Sequence, residues 1–182
     1  EKTIGSQKEL IMKKQVQLMG TIITLDIEAD NAEEVLQETV RKLEGFERRF
    51  SANADTSQIA AIAKNAGKKA VRVDADVFEL IAFGKKKSEE EGFLNVAIGP
   101  LIKLWNIGFE NAVVPTKQAI NQKLELIDPA CIILNEGEQT VFLEKVGMRL
   151  DLGALAKGYF ADQIIAYWKK MGIHHGYIDL GG

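Results

Sequence analysis

Residues 16–28 of the chain, VQLMGTIITLDIE, alternate between apolar and polar side chains and are rich in β-branched residues. This period is typical of strands with one buried face, so the stretch predicts two strands with a break or bulge near Met19 and Gly20. From Asn31, a candidate helix cap, the apolar residues recur at helical spacing as far as Phe46. Strands followed by an amphipathic helix favour an α+β fold.

The rest of the chain shows the same mixture of patterns. Strands are expected at both ends of the sequence, and we expect them to share a sheet. The glycine-containing stretch FLNVAIGPLIKLWNIGFE is assigned neither as helix nor as strand. The other predicted elements are a short helix ending at Ala63 and capped by Asp55 or Thr56, a strand at residues 71–73, a helix ending near Gly92, a short helix after Pro115, strands at Ile132–Asn135, Thr140–Leu143 and Arg149–Leu152, a helix at Lys157–Met171 and a strand at residues 175–180.

The composition is that of a globular protein, with 46% hydrophobic and 27% charged residues among 182. With a net charge of −3 the chain gives no indication of the basic surface that binds nucleic acid, so no nucleic acid is expected as a partner. The single cysteine, Cys131, is expected to be a buried apolar residue, because one cysteine forms neither an internal disulfide nor a cysteine zinc site. The polar start and the end inside a glycine turn indicate a fragment, with residues 1–8 a disordered leader remnant.

The stretch LDLGALAKGYFADQII, residues 150–165, places a lysine beside glycines where a strand is expected to lead into a helix. Glycine lets a ligand approach the backbone, the N–H groups of a helix N-terminus attract an anion, and Lys157 adds a positive charge. A cation at that end of a helix is otherwise unfavourable. The residues leave two interpretations open, an anion site or a plain turn with a solvated lysine. The stretch matches neither GxxxxGK[ST] nor GxGxxG.

Other residues of catalytic type have simpler interpretations. The adjacent His174 and His175 point to opposite faces of a regular strand, so they do not chelate one metal together. Trp105 either belongs to the core or forms a wall for a flat aromatic ligand. Carboxylates beside turns and helix starts are expected to act as caps, namely Asp55, Asp74, Asp76 and Asp128.

Five stretches, taken in order, resemble the ApbE-type flavin transferases (FAD:protein FMN transferases). They are MGTIITLDI, ERRFSANADTSQIAAI, FLNVAIGPLIKLWNIG, LDLGALAKGYFADQII and YIDLGG, and they extend the resemblance from about Met19 to the end of the chain. Their order and spacing make the resemblance specific. It implies an α+β, ApbE or T-fold-like two-part domain with mixed or antiparallel sheets and packed helices. Residues 1–182 would then form the N-terminal and central part of a single flavin transferase domain, truncated at the C-terminus.

The resemblance also implies an activity. A FAD:protein FMN transferase of this kind cleaves FAD with Mg²⁺, attaches FMN by a phosphoester bond to a threonine or serine of an exported acceptor protein, and releases AMP. In such a phosphoryl transfer, cations neutralise the charge that develops on the phosphate oxygens. The implied location is outside the cytoplasmic membrane, as a lipid-anchored bacterial envelope protein held peripherally at the membrane.

The matching motifs imply functional residues as well. Lys157 and Asp151 would be catalytic, and the backbone carbonyl of Ala154 would supply a hard oxygen ligand to Mg²⁺. The residues implied to contact FAD are Met19, Asn53, Leu94, Asn95, Val96, Asp151 and Lys157.

The chain departs from the family pattern in two respects. The other metal ligands of the family lie downstream of YIDLGG, so the fragment alone is expected to bind Mg²⁺ poorly. Asn53 stands where many members carry a tyrosine, and a smaller residue would leave space for water beside FAD. This keeps open an FAD pyrophosphatase that yields FMN and AMP, with a non-catalytic FAD-binding protein as the third interpretation.

Overall fold

The structure is a computed structural model that describes residues 11–52, 54–90 and 92–181. The segment 1–8, expected to be disordered, lies outside the described residues. In chain order the helices and strands are β1 (Ile11–Leu18), β2 (Thr21–Glu28), α1 (Ala32–Phe50), α2 (Gln58–Lys64), β3 (Val71–Arg72), α3 (Ala75–Glu90), α4 (Gly99–Trp105), α5 (Lys117–Leu124), β4 (Ile132–Asn135), β5 (Thr140–Leu143), α6 (Gly153–Lys170) and β6 (His175–Asp179).

The chain divides into two compact units. The first contains the residues up to Glu47 together with Lys157–Gly182, and the second contains Arg48–Ala156. Both are built from helices and antiparallel strands, which confirms the expected α+β class.

The first unit is built on a three-stranded sheet with the order β1-β2-β6. β1 and β2 form an antiparallel hairpin in which Leu18 lies opposite Thr21. The predicted break is therefore a two-residue turn at Met19 and Gly20, whose φ angles of 54° and 73° are those of a type I′ turn. β6 pairs with the other edge of β2, which confirms that strands from both ends of the sequence share a sheet.

The core of the first unit lies between this sheet and two helices. Ile23, Leu25 and Ile27 alternate along β2 and are almost fully buried, as the strand period requires. The rings of Phe46 on α1 and Phe160 on α6 stack with their centroids 4.6 Å apart. This contact buries part of the apolar face of each helix in the first unit.

The second unit contains a three-stranded sheet with the order β3-β5-β4 and the helices α2 to α5. The predicted strands Ile132–Asn135 and Thr140–Leu143 are confirmed and pair antiparallel. The core side chains come from α2, α3 and the sheet, and they include Ile59, Ile62, Val77, Leu80, Ile81, Ile132, Val141 and Leu143. Among the described residues, no helix has the length and apolar content needed to cross a membrane.

Three local predictions are wrong. Arg149–Leu152 is not a strand; Arg149 forms an isolated parallel bridge with Ile98, because the segment bonds to an irregular loop instead of a sheet. The last helix begins at Gly153 and not at Lys157, since its first turn closes on the carbonyl of Leu152. The cap of α2 is Ser57, whose hydroxyl accepts the N–H of Ala60 at 2.9 Å, and neither Asp55 nor Thr56.

Candidate functional site

In the second unit, the glycine-containing loop before α4 lies against the segment that leads into α6. The carbonyl of Val96 accepts the N–H of Asp151 at 2.9 Å. A Cβ atom added to Gly99 would lie 2.7 Å from the carbonyl oxygen of Arg149, so this approach requires glycine. The structure therefore brings together two of the predicted residues, Val96 and Asp151.

Asn95 holds this loop in place through both ends of its side-chain amide. Its Nδ2 donates to the carbonyl of Ile127 at 2.8 Å, and its Oδ1 accepts the N–H of Ala97 at 2.8 Å. The next N–H, that of Val96, donates to the buried hydroxyl of Ser88 at 3.0 Å. The Asn95 side chain thus fixes the loop conformation, and the half-buried Leu94 and the exposed Phe93 beside it remain available to a ligand. Ser88 was missed by sequence reasoning, because a serine inside a helix carries no signal of a contact eight residues away.

Asp151 lies at the N-terminal end of α6. Its Oδ1 accepts the N–H of Gly153 at 2.9 Å. The carboxylate thus binds one of the first-turn N–H groups that have no acceptor within the helix, and it interacts favourably with the helix dipole. A carboxylate thus occupies part of the position that the anion hypothesis gave to a ligand. Lys157 lies in the second turn and not at the end of the helix, so its charge does not oppose the dipole as the sequence suggested.

In the first unit, Lys157 faces the glycine turn that follows β6. Its exposed ammonium group donates to the carbonyl of Gly181, whose N–H donates in turn to Asp179 Oδ1 at 2.8 Å. Gly181 has a φ of 72°, and a Cβ there would lie 2.0 Å from the hydroxyl oxygen of Thr21. A cavity of about 280 Å³ lies between Lys157 and residues 177–181.

Met19 lies at the tip of the β1–β2 hairpin in the same unit. Its backbone N–H donates to Glu47 Oε1 at 2.8 Å, across 28 residues of sequence. Sequence reasoning missed Glu47 because the residue reads as one polar position of an amphipathic helix. The type I′ turn was the available signal. The N–H of the first residue in such a turn has no acceptor in the strands, so when it is buried it needs an acceptor from elsewhere in the chain.

Asn53 lies outside the described residues. Close to it in sequence, Ala52 and Asp55 line a cavity of about 660 Å³ in the second unit, together with Lys103 and Arg149. This volume is in the range of small-molecule pockets. Lys103 and Arg149 are balanced by the carboxylates of Asp55 and Glu110 in the same lining, so the cavity offers charged groups of both signs to a ligand.

Ala154, the predicted source of a magnesium ligand, is exposed in the first turn of α6. Mg²⁺ requires octahedral oxygen coordination, normally including one or two carboxylates. Within residues 11–52, 54–90 and 92–181, no group of three or more His, Cys, Asp or Glu side chains could hold a metal ion. The assignment of the Ala154 carbonyl to Mg²⁺ therefore stays a prediction, since it has no such cluster of side chains beside it among the described residues.

A sequence profile of the ApbE family matches residues 19–182. The FAD:protein FMN transferase of Klebsiella pneumoniae is 38% identical over 166 residues, which are 91% of this chain and 52% of the relative. The FAD:protein FMN transferase of Treponema pallidum is 37% identical over 153 residues, 81% of this chain and 42% of the relative. The chain thus spans about half the length of the curated relatives it matches.

The fold also matches solved structures. The flavin transferase ApbE from Vibrio cholerae superposes with a TM-score of 0.87 at 20% identity, covering 96% of this chain and 58% of that structure. The ApbE protein from Thermotoga maritima gives a TM-score of 0.84 at 21% identity, covering 95% and 57%. At these identities the structures establish the fold, and they confirm the ApbE-like α+β architecture that the motifs implied.

Proposed function

The chain belongs to the ApbE family, and on that basis we propose that the protein containing it is a FAD:protein FMN transferase. The observation that carries this proposal is the family match over residues 19–182, strengthened by relatives of that name at 37–38% identity. The activity is proposed for the whole protein, because the chain spans about half of those relatives.

The proposed reaction is a phosphoryl transfer from FAD to a protein hydroxyl. The oxygen of an acceptor threonine or serine attacks the phosphorus of the FMN half of FAD. The bond from that phosphorus to the bridging oxygen breaks, and AMP leaves with the bridging oxygen. The hydroxyl proton is released to the solvent, and FMN becomes joined to the acceptor by a phosphoester bond. Positioning and charge stabilisation supply most of the barrier reduction in such reactions.

Lys157 is proposed to stabilise the phosphate oxygens. Its ammonium group is exposed and has three N–H donors, of which the carbonyl of Gly181 takes one. Unlike arginine, lysine acts as a compact point charge on a flexible stem, so it can follow the phosphate as the bond breaks. The cavity beside Lys157 provides space for a phosphate group in the first unit.

The loop containing Leu94, Asn95 and Val96 is proposed to bind the flavin nucleotide together with Asp151. Support comes from the bond between Val96 and Asp151 and from the rigid anchoring of Asn95. A ligand bound to a preorganised loop loses less free energy to ordering, which favours affinity. Met19 and Asn53 are assigned to the same nucleotide by the motif resemblance alone.

The proposal also includes a requirement for Mg²⁺, an exported acceptor protein and a lipid-anchored location outside the cytoplasmic membrane. These points are supported by the resemblance of the five motifs. Chelation with EDTA followed by titration with Mg²⁺ would check the metal requirement, and fractionation of the source cells would check the location.

The test uses the full-length protein with FAD, Mg²⁺ and a candidate acceptor, and it measures the intact mass of the acceptor and the AMP released. We expect one FMN to be added to the acceptor for each AMP formed. Lys157→Ala should lower the rate at least tenfold, whereas Lys170→Ala, an exposed lysine in the last turn of the same helix, should leave it unchanged.

Two other outcomes would replace the proposal. AMP release with every tested acceptor unmodified would favour the FAD pyrophosphatase, with water as the attacking group. FAD binding without any AMP would leave a non-catalytic flavin-binding protein.

A further inference from the structure

The turn between β1 and β2 contains two residues, because Leu18 pairs directly with Thr21. A two-residue turn that matches the twist of its strands requires positive φ at both positions. Gly20 meets this requirement without strain. Met19 does not, since a side chain with a Cβ atom is disfavoured in the left-handed region, yet its φ is 54°.

The hydrogen bonds of this hairpin leave the N–H of Met19 without a partner from the strands. In a two-residue turn the flanking residues pair with one another, and the first turn residue points its N–H away from the ladder. Met19 is half-buried, so water does not fully solvate this group. The carboxylate of Glu47 accepts it at 2.8 Å.

Glu47 is an unfavourable choice for helix α1 itself. The helix ends at Phe50, and a negative charge in its last turn opposes the dipole. Arg48 and Arg49 of the same turn are the residues that suit that end. The bond to Met19 gives this carboxylate a specific partner, since hydrogen bonds to charged groups are stronger than neutral ones.

We propose that Glu47 is a positioning residue that holds Met19 in its left-handed conformation and thereby sets the affinity of the protein for the flavin nucleotide. The proposal rests on the proposed function, because only there is Met19 assigned to the flavin. A turn that leaves its binding conformation lowers the measured affinity by the fraction of molecules that retain it. Glu47 therefore acts through Met19 and touches no reacting atom.

The experiment compares variants of the full-length protein by FAD affinity and by hydrogen exchange of the Met19 amide. Glu47→Ala removes the acceptor, and Glu47→Gln keeps an oxygen at the same place. Glu44→Ala is the matched control, an exposed carboxylate one turn earlier on α1. Met19→Asn introduces a residue that adopts positive φ more readily and forms the preferred Asn-Gly turn.

We expect Glu47→Ala to weaken FAD binding about tenfold and to accelerate exchange of the Met19 amide, with Glu47→Gln within about threefold of wild type and Glu44→Ala unchanged. In the Met19→Asn background, adding Glu47→Ala should change the affinity less than about twofold, because the turn no longer depends on the carboxylate. This double-mutant cycle separates positioning from general loss of stability.

The other outcomes overturn the proposal in distinguishable ways. Unchanged exchange in Glu47→Ala would show that Glu47 does not hold the turn. Faster exchange with unchanged FAD affinity would make Glu47 a residue of the fold alone. Wild-type protein that binds no FAD would overturn the proposed function itself, whatever the exchange data show.

Discussion

Replacing Thr39 by valine would test how the two long helices of the first unit are joined. The side chain of Thr39 is fully buried on α1, where its hydroxyl donates to the carbonyl of Val35 at 2.8 Å. The same hydroxyl accepts the indole N–H of Trp168 on α6 at 2.8 Å. Valine has nearly the same shape, so the change removes the hydrogen bonds and leaves the packing in place.

The expected loss comes mainly from Trp168, which is 3% exposed. Its indole N–H would be buried without an acceptor, and an unsatisfied buried donor costs about 1–3 kcal/mol. The lost bond to Val35 adds little, because that carbonyl belongs to the helix and such back-bonds are slightly unfavourable. We therefore expect Thr39→Val to lower the free energy of unfolding by about 2 kcal/mol.

The assay is equilibrium unfolding in urea of wild type, Thr39→Val, Trp168→Phe and the double variant. Phenylalanine has no N–H, so Thr39→Val should cost less than about 0.5 kcal/mol in that background and the cycle should show a coupling near 1.5 kcal/mol. An equal loss in both backgrounds would refute the reasoning, since the cost would then come from Thr39 alone.

Three further predictions concern the second unit. Gly99→Ala should lower stability by about 1–3 kcal/mol in thermal unfolding, because the new Cβ would lie 2.7 Å from a backbone oxygen of Arg149. Gly137→Ala is its control and should be nearly neutral, with Asn135 Oδ1 3.6 Å from the added atom. Burial raises the pKa of the Cys131 thiol, so the folded protein should react with a thiol reagent at pH 8 far more slowly than the unfolded protein. Because the buried thiol resists ionisation, its contribution to stability should be present at neutral pH and should decrease as the pH rises above the ordinary thiol pKa of about 8.5, measured against Cys131→Ala.

The elements that the sequence predicted correctly are those with a local signal. The strands Ile132–Asn135 and Thr140–Leu143 are bounded by turn residues and rich in β-branched or apolar side chains, and the structure has the same bounds. The segment Arg149–Leu152 has the same local character, yet it pairs with a loop some fifty residues earlier. The segment pairs with Ile98 because of the tertiary packing around Gly99, and the local pattern of apolar and polar residues contains no information about that packing.

In the candidate site, too, some residues could be predicted from the sequence and others could not. The turn around Asp151 and Lys157 had a local signal, because it combines glycines and a lysine with a helix boundary, whereas Met19 and Val96 were implied by the family resemblance alone. Two roles could not be predicted from the sequence, namely that Asn95 anchors the loop and that the Glu47 side chain accepts a backbone N–H. A helical glutamate or a loop asparagine looks the same in the sequence with or without a distant partner.

The sequence alone determined the α+β class and the two strands at the start, and the order and spacing of the five motifs indicated the family. The class and the strands depend on periodicity and turn chemistry within windows of about twenty residues, where the backbone conformation is set by neighbours in the chain, whereas the family rests on a resemblance of motifs spread over most of the chain. The tertiary structure decided which backbone groups bond across long separations, such as Thr24 of β2 opposite Asp179 of β6 and the N–H of Met19 with Glu47. That choice follows from burial, because each polar group taken from water must find a partner among the groups that folding brings within reach.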